Sequence, residues 1–323
     1  MIEGKLQVVS SPNNSFKEAI RSQPLMFEPS LPPILYKDSS ADKIAKVRSE
    51  LDKFIALLKD SRRVNAINIP ELIEENHSGK PYRRSLDAIG FASIVDGNLE
   101  KEIVANKIVA HFDSTSALEA WVKESLNLGI KNIVAVGGSY SFIRYPGPSV
   151  IEANRIITPL LDIHGGLLGS IVIPQRKGEA VRMLEKTKSG TSFFTTQMLF
   201  DSQNIINLIA EYDKLCKMES ISPATILISF APVTREEDLR FMLWLGAEIP
   251  QNLEQSTRGL KYSEINPIYL KNAINTWEKV LAATYKNNYS VHLGVNVEQI
   301  LKHNLSSSLE MLDAFTGKMQ KQD

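Results

Sequence analysis

The sequence predicts an α/β protein, a single (β/α)8 barrel with an N-terminal extension, and three observations carry that expectation. Eight short β-branched or apolar runs are each followed by a segment of helical periodicity, the pattern of βα units in a parallel sheet. Glycine or proline stands at most of the junctions between them. The length, 323 residues with 43% hydrophobic content, suits one barrel of about 250 residues plus extensions, and no shift in composition marks a second domain. The expected division is an N-terminal arm over residues 1–22, lying as an arm or lid on one barrel end, and a barrel over residues 23–323.

Each element has its own reason. Leu25-Met26-Phe27-Glu28 is the first strand, ended by Pro29 and then Pro32-Pro33. A long helix begins at Ser40 or Asp42 and runs to about Lys59, with Ile44, Val47, Leu51, Phe54, Ile55 and Leu58 at helical spacing. Val64 to Ile69 is the second strand, stopped by Pro70, and residues 71–83 form a polar loop long enough to be functional. A helical region near Ser85–Ile94 leads to the third strand, Ile108 to Phe112. Thr115 or Ser116 caps a helix over Ala117–Leu128, which Gly129 ends. The fourth strand, Ile133 to Val136, runs into Gly137-Gly138-Ser139-Tyr140, and a helix over Ser149–Leu161 follows.

Ser170 to Ile173 is the fifth strand, halted by Pro174. Glu179 to Lys188 has helical composition with Val181, Leu184 and Met183 expected inward, and Ser189-Gly190 closes it. Ser192 to Thr196 is the sixth strand with Gln197 at its end, and Asp201 is placed to cap a helix reaching Met218. Ala224 to Phe230 is the seventh strand, with its helix over Arg235–Leu245 and a polar excursion with further helix over 246–275. Tyr289 to Leu293 is read as the eighth strand and Val297–Phe315 as the closing helix.

Composition excludes several classes of function. Lysine plus arginine equals aspartate plus glutamate, 37 each, so nothing points to nucleic acid or a membrane as partner. Cys216 is the one cysteine, which rules out an internal disulfide, and it is expected as buried packing. The five histidines include no HxxxH pair, so no metal site is expected. With no signal-like N-terminal run and no 18-residue apolar stretch, the expectation is a soluble, cytoplasmic protein. The oligomeric state is left open, a homo-oligomer included.

In a (β/α)8 barrel the chemistry sits at the carboxyl ends of the strands. The residues expected there are Glu28, Asn68, His111, Asp113, Gly137, Gly138, Ser139, Gln175, Arg176, Gln197, Ser229 and His292. Glu28, flanked by apolar side chains, suits a general acid with a raised pKa, or else a rim carboxylate paired with Arg176 or a lysine. Gln197 can give and take a hydrogen bond at once, which suits a flat heterocycle, or it binds a neighbouring loop backbone. His111 and His292 are proton carriers or fixed hydrogen-bond partners. Gly137-Gly138 permits close approach of a ligand to the backbone, without forming a GxGxxG fingerprint. Arg176 and Lys177 bind an anion or form a solvated turn.

These residues together resemble a known family. Phe193 to Asp201, FFTTQMLFD, is similar to the ITQ-x-x-FD phrase ending the sixth strand of methylenetetrahydrofolate reductases, and Met26-Phe27-Glu28 with Pro32-Pro33 resembles that family's FEF-x-PP first strand. Ala110-His111, Asn127 to Ala135 and Val291-His292 fall in family order. The resemblance implies reduction of the methylene bridge of methylenetetrahydrofolate, or a related pterin, to a methyl group, within one-carbon metabolism and methionine biosynthesis. It implies Glu28 as the acid that opens the five-membered ring, and Gln197, with His111 and Ser139, on the pterin. Gly137, Gly138, Arg176, Lys186 and His292 fall to the cofactor, Lys186 and His111 on positions that line the flavin in flavin-containing members.

The departures choose a branch. Flavin-containing members carry Arg-Gly-Asp after the fourth strand where this chain has Gly137-Gly138-Ser139, and Tyr-Pro-Glu-x-His-Pro-Glu after the fifth where it has Ile173-Pro174-Gln175-Arg176-Lys177-Gly178-Glu179. IPQRKGE followed by TTQMLFD is instead similar to the flavin-independent, mycobacterial-type branch. That likeness implies hydride transfer directly from NAD(P)H and no FAD. A FAD-dependent reductase with a rearranged pocket, or a non-catalytic pterin-binding barrel, is the alternative.

Overall fold

A computed structural model describes residues 16–30, 64–71, 73–75, 81–84, 87–90, 101–140 and 142–319, with Ala45 and Ser49. The expected helix from Ser40 to Lys59 apart from Ala45 and Ser49, residues 1–15, Pro32-Pro33 and most of the region 85–94 lie outside the described residues.

The short helix α1 (Phe16–Ala19) precedes the first strand, β1 (Leu25–Glu28), and β2 (Ala66–Ile69) follows. Residues 71–83, expected as an open loop, contain an antiparallel hairpin of β3 (Ile73–Glu75) and β4 (Pro81–Arg84), its register broken between Glu74 and Glu75. Then come β5 (Glu102–Ile108), α2 (Thr115–Asn127), β6 (Asn132–Val136), α3 (Val150–Ile163), β7 (Leu167–Val172) and α4 (Glu179–Lys188). The chain continues through β8 (Phe193–Thr196), α5 (Gln203–Met218), β9 (Thr225–Phe230), α6 (Glu236–Trp244), α7 (Gln251–Thr257) and α8 (Tyr262–Lys286). It ends with β10 (Leu293–Glu298) and α9 (Leu305–Met319). Eight strands close a parallel barrel in the order β1-β10-β9-β8-β7-β6-β5-β2.

Two strands sit away from their expected places. The third barrel strand occupies 102–108 rather than 108–112, because Val109 to His111 forms a 3₁₀ turn beyond its end. The last strand is 293–298 rather than 289–293, so Val297 belongs to the strand and the closing helix starts at Leu305. Its alternation explains the shift: Val295 and Val297 face the outer core, leaving Gly294, Asn296 and Glu298 on the axis side. Smaller corrections follow local chemistry. Ser114, not Thr115 or Ser116, caps α2 by accepting from the Ala117 N–H at 3.1 Å. Val181 faces solvent, while Met183 and Leu184 are buried as expected. Asp201 accepts from the Gln203 N–H at 2.8 Å, one residue ahead of the helix's own cap position at Ser202.

Three apolar clusters hold the barrel. The largest lies between strands and outer helices and includes Phe27, Ile67, Ile133, Phe194, Trp277 and Phe315; Cys216 is buried within it, and burial pushes its thiol up from the ordinary value. A second fills the inside of the barrel with Met26, Ala66, Val104, Val134, Phe193 and Leu227, closed at the strands' amino ends by Phe16 and Ile20. Phe16 meets Phe193 edge to face at 5.5 Å. Gly169 is glycine because a Cβ there would lie 2.4 Å from the Phe193 ring. The third cluster, with Met198, Phe200, Val233, Leu239, Met242, Ile265 and Tyr269, joins α6 and the start of α8 to the segments following β8 and β9.

Candidate active site

Alternation along the strands sets the site. Met26, Ala66, Val104, Phe193 and Leu227 pack inside the barrel, so the residues two positions further on, Glu28, Asn68, Asn106, Thr195 and Ser229, face the same axis nearer the carboxyl ends. Asn296 and Glu298 join them from β10. The interior therefore changes from hydrocarbon to a polar wall within one layer of side chains.

This wall has a definite hydrogen-bond pattern. Asn68 Nδ2 donates to Glu28 Oε2, and Asn296 Nδ2 donates to Ser229 Oγ at 3.1 Å and to Glu298 Oε1 at 3.2 Å. The Oδ1 atoms of Asn68, Asn106 and Asn296 are buried and accept no hydrogen bond among the described residues. A buried acceptor left without a donor costs about 1–3 kcal/mol, so a wall with three of them favours a ligand rich in N–H groups. Burial raises the Glu28 carboxyl from its ordinary 4.5 to about 7, against the opposing hydrogen bonds from Asn296 and Asn68. Glu298 is likewise held well above the ordinary value, by burial and then by the charge of Glu28.

Gln197 extends the wall on the β8 side. Its backbone N–H continues the pairing to Val172 at 2.9 Å. Its side-chain Nε2 donates to the Leu245 carbonyl at 2.8 Å, tying β8 to the end of α6, while Oε1 takes no hydrogen bond among the described residues. The bond to a loop backbone is thus present, and the accepting half of the amide is left for a ligand.

A second grouping lies around the ends of β5 and β6. His111 stands in the 3₁₀ turn after β5, its ring 5.9 Å from that of Tyr145. Ala110, Gly137, Gly138, Tyr145, Gly147, Pro148 and Ser149 line a hollow of ≈ 250 Å³. Gly138 is needed here for Tyr145, whose ring would lie 2.1 Å from an added Cβ, and Gly137 meets only Val150 at an ordinary 3.5 Å. The close approach expected from a ligand at Gly138 is therefore made by a tyrosine. Ser139 is exposed beside it, and Tyr145 Oη accepts from the Tyr140 N–H at 2.9 Å.

The remaining expected residues separate. Arg176 and Arg182 flank the buried Glu179 at 3.7 and 3.5 Å, and Glu179 also accepts from the Ile173 N–H at 3.2 Å. Lys186, reaching from α4, donates to the Ile171 carbonyl at 2.6 Å; burial lowers its amine to about 8, with Glu179 opposing and Arg176 and Arg182 adding to the fall. His292 is a correction. It precedes β10, its carbonyl accepting from Ile226 N at 2.9 Å, and so lies at the amino end of the strands, opposite the polar wall. The strand shift of four residues caused the misplacement, and it also hid Asn296 and Glu298. The alternating Val-Asn-Val-Glu over 295–298 was the signal that could have found them.

Comparison with known proteins bears on the fold and the family. An uncharacterized protein from Clostridium thermocellum that binds two copies of 5-methyl-5,6,7,8-tetrahydrofolic acid has the same fold, with a TM-score of 0.72 at 17% identity over 93% of this chain and 98% of that one. Oxaloacetate acetylhydrolase and 2,3-dimethylmalate lyase match more loosely, with TM-scores of 0.44 and 0.45 at 8% and 6% identity; the first covers 96% of this chain and 97% of its own, the second 95% and 94%. No curated protein sequence matches. The family described as mycobacterial methylenetetrahydrofolate reductase matches residues 38–258, more than half of the chain, and the protein belongs to that family.

Proposed function

We propose that this chain reduces the methylene bridge of 5,10-methylenetetrahydrofolate, or of a closely related pterin, to a 5-methyl group, using reduced nicotinamide and no flavin. The observation that carries this reading is the acceptor-rich wall: two carboxyls with three unpartnered amide oxygens face one axis, where a tetrahydropterin offers several N–H donors. Family membership and a fold shared with a protein that binds 5-methyl-5,6,7,8-tetrahydrofolic acid support it.

In this reading Glu28 is the general acid. A carboxyl brought to about 7 still holds its proton near neutral pH, and it gives that proton to the amine nitrogen that leaves the methylene carbon. Asn68 holds the carboxyl in place through Oε2. Gln197 Oε1 accepts from the pterin edge. Reduced nicotinamide, when bound, supplies the hydride that the opened methylene iminium takes up. Holding two reactants in a productive geometry is worth up to about 7–11 kcal/mol in well-oriented systems, and that alignment is the main service the barrel renders.

The nicotinamide ring is placed, in this reading, at the hollow of ≈ 250 Å³ beside Gly137, Gly138 and Tyr145. Ala110, Gly137, Gly138, Tyr145 and His111 would border that ring, with Ser139 at the edge. Arg176 and Lys186 would act at longer range. The test is Glu28→Gln: turnover falls by at least about 10²-fold while binding of 5-methyltetrahydrofolate, followed by calorimetry, stays within a few fold. Undiminished turnover would remove Glu28 from the mechanism.

A further inference from the structure

We infer that Glu298 is a second working carboxyl of this site, sharing one proton with Glu28 and restoring Glu28 to its acid form after each proton delivery. The inference rests on the reductase reading above, and no family motif quoted in the sequence pointed to it.

The geometry comes from strand register. Glu28 and Glu298 are paired neighbours on β1 and β10, and adjacent strands lie about 4.8 Å apart. Both side chains leave the same face, because Phe27 and Val297 beside them belong to the outer core. Among the described residues their partners are neutral: Asn68 from β2, Asn296 from β10 itself and Ser229 from β9. From α9, packed behind these strands, come Met311, Leu312 and Phe315. Beyond the end of β10, Lys302 is exposed and the His303 ring is bound to Asp238 at 2.9 Å. Neither carboxyl has an ion pair among the described residues.

Two like charges this close, with no balancing cation among the described residues, do not both ionise near neutrality. Glu298 is raised by burial and then by the charge of Glu28, in agreement with that, and Glu28 is raised by burial. The pair therefore retains one proton where an isolated exposed carboxyl has lost its own.

The proton cycle balances. Glu28 gives its proton to the departing amine nitrogen and becomes a carboxylate. The pair then holds no proton: Glu298 takes one up from water, and that O–H bond breaks as an O–H bond on Glu28 forms, returning the pair to its single shared proton. The two electrons of the reduction travel with the hydride from reduced nicotinamide, so no other reductant enters. Glu298 acts through Glu28 and is a positioning and proton-storing residue.

Two measurements test this. The infrared spectrum of the ligand-free protein at pH 8 is expected to show a protonated-carboxyl C=O band that Glu298→Gln removes. In kcat/KM against pH, Glu298→Gln moves the alkaline limb down by about one unit or more, and Glu298→Asp restores the wild-type limb. Absence of the band in the wild type, or its persistence in Glu298→Gln, would overturn the shared proton. A rate lowered equally at every pH would reduce Glu298 to a structural role and overturn it as well. A band that behaves as expected in a protein that oxidises no nicotinamide would leave the shared proton standing and remove the reductase reading instead.

Discussion

At the scale of single residues, Glu28 carries a cost that ought to be visible in stability. Its carboxyl titrates at about 7 in the folded chain against 4.5 ordinarily. Between those values the folded protein binds a proton that the unfolded chain has released, so stability declines as pH rises through that window. Its contribution is complete below about 4.5 and lost above about 7. Glu28→Gln removes this residue's share of the dependence, and we expect the variant to gain about 1–3 kcal/mol over the wild type on going from pH 5 to pH 8. Urea unfolding at the two pH values reads this directly; a difference unchanged with pH would mean that the carboxyl is not displaced from its ordinary range. The same residue that weakens the fold at neutral pH is the one able to deliver a proton there.

At the scale of elements, the segment after β9 is fixed to the segment after β10 by one buried carboxylate. Asp238 Oδ2 accepts from Thr234 N at 2.8 Å, Thr234 Oγ1 at 2.7 Å, Arg235 N at 3.1 Å and Asn304 Nδ2 at 3.2 Å, while Oδ1 meets His303. Removing one member of a buried charged network costs about 3–5 kcal/mol. Asp238→Ala is expected to lose that much in chemical denaturation, whereas Asp201→Ala, which gives up a single N-terminal bond to Gln203, costs about 1 kcal/mol. Equal losses would refute the idea that Asp238 ties these elements together. Strand ends were also where sequence and structure diverged. β1, β6, β8 and β9 were legible within two residues because proline or glycine bounds them and their apolar runs are unbroken. β5 and β10 were not, because their inward positions are filled by Asn106, Asn296 and Glu298. Polar side chains had replaced the hydrophobic signal by which strands are recognised. Hence the positions of Glu28 and Gln197 at strand ends were legible, those of Asn296 and Glu298 were missed, and His292 was assigned to the wrong end.

At the scale of the whole molecule, the barrel separates an apolar end from a polar one along its axis. Phe16, Ile20, Phe193 and Leu227 fill the amino end with hydrocarbon, and the amides and carboxyls occupy the carboxyl end. No helix among the described residues is long and apolar enough to cross a membrane. The central claim is that this axis-facing polar end, with Glu28 as its acid, passes hydride from nicotinamide to a methylene-bearing folate. The most direct measurement is nicotinamide oxidation at neutral pH with 5,10-methylenetetrahydrofolate, using purified protein whose absorbance spectrum shows no flavin. The account predicts folate-dependent oxidation by the wild type, with 5-methyl product in equal amount, and none by Glu28→Gln; a wild type that leaves the nicotinamide reduced, or turns over only once flavin is added, would contradict it.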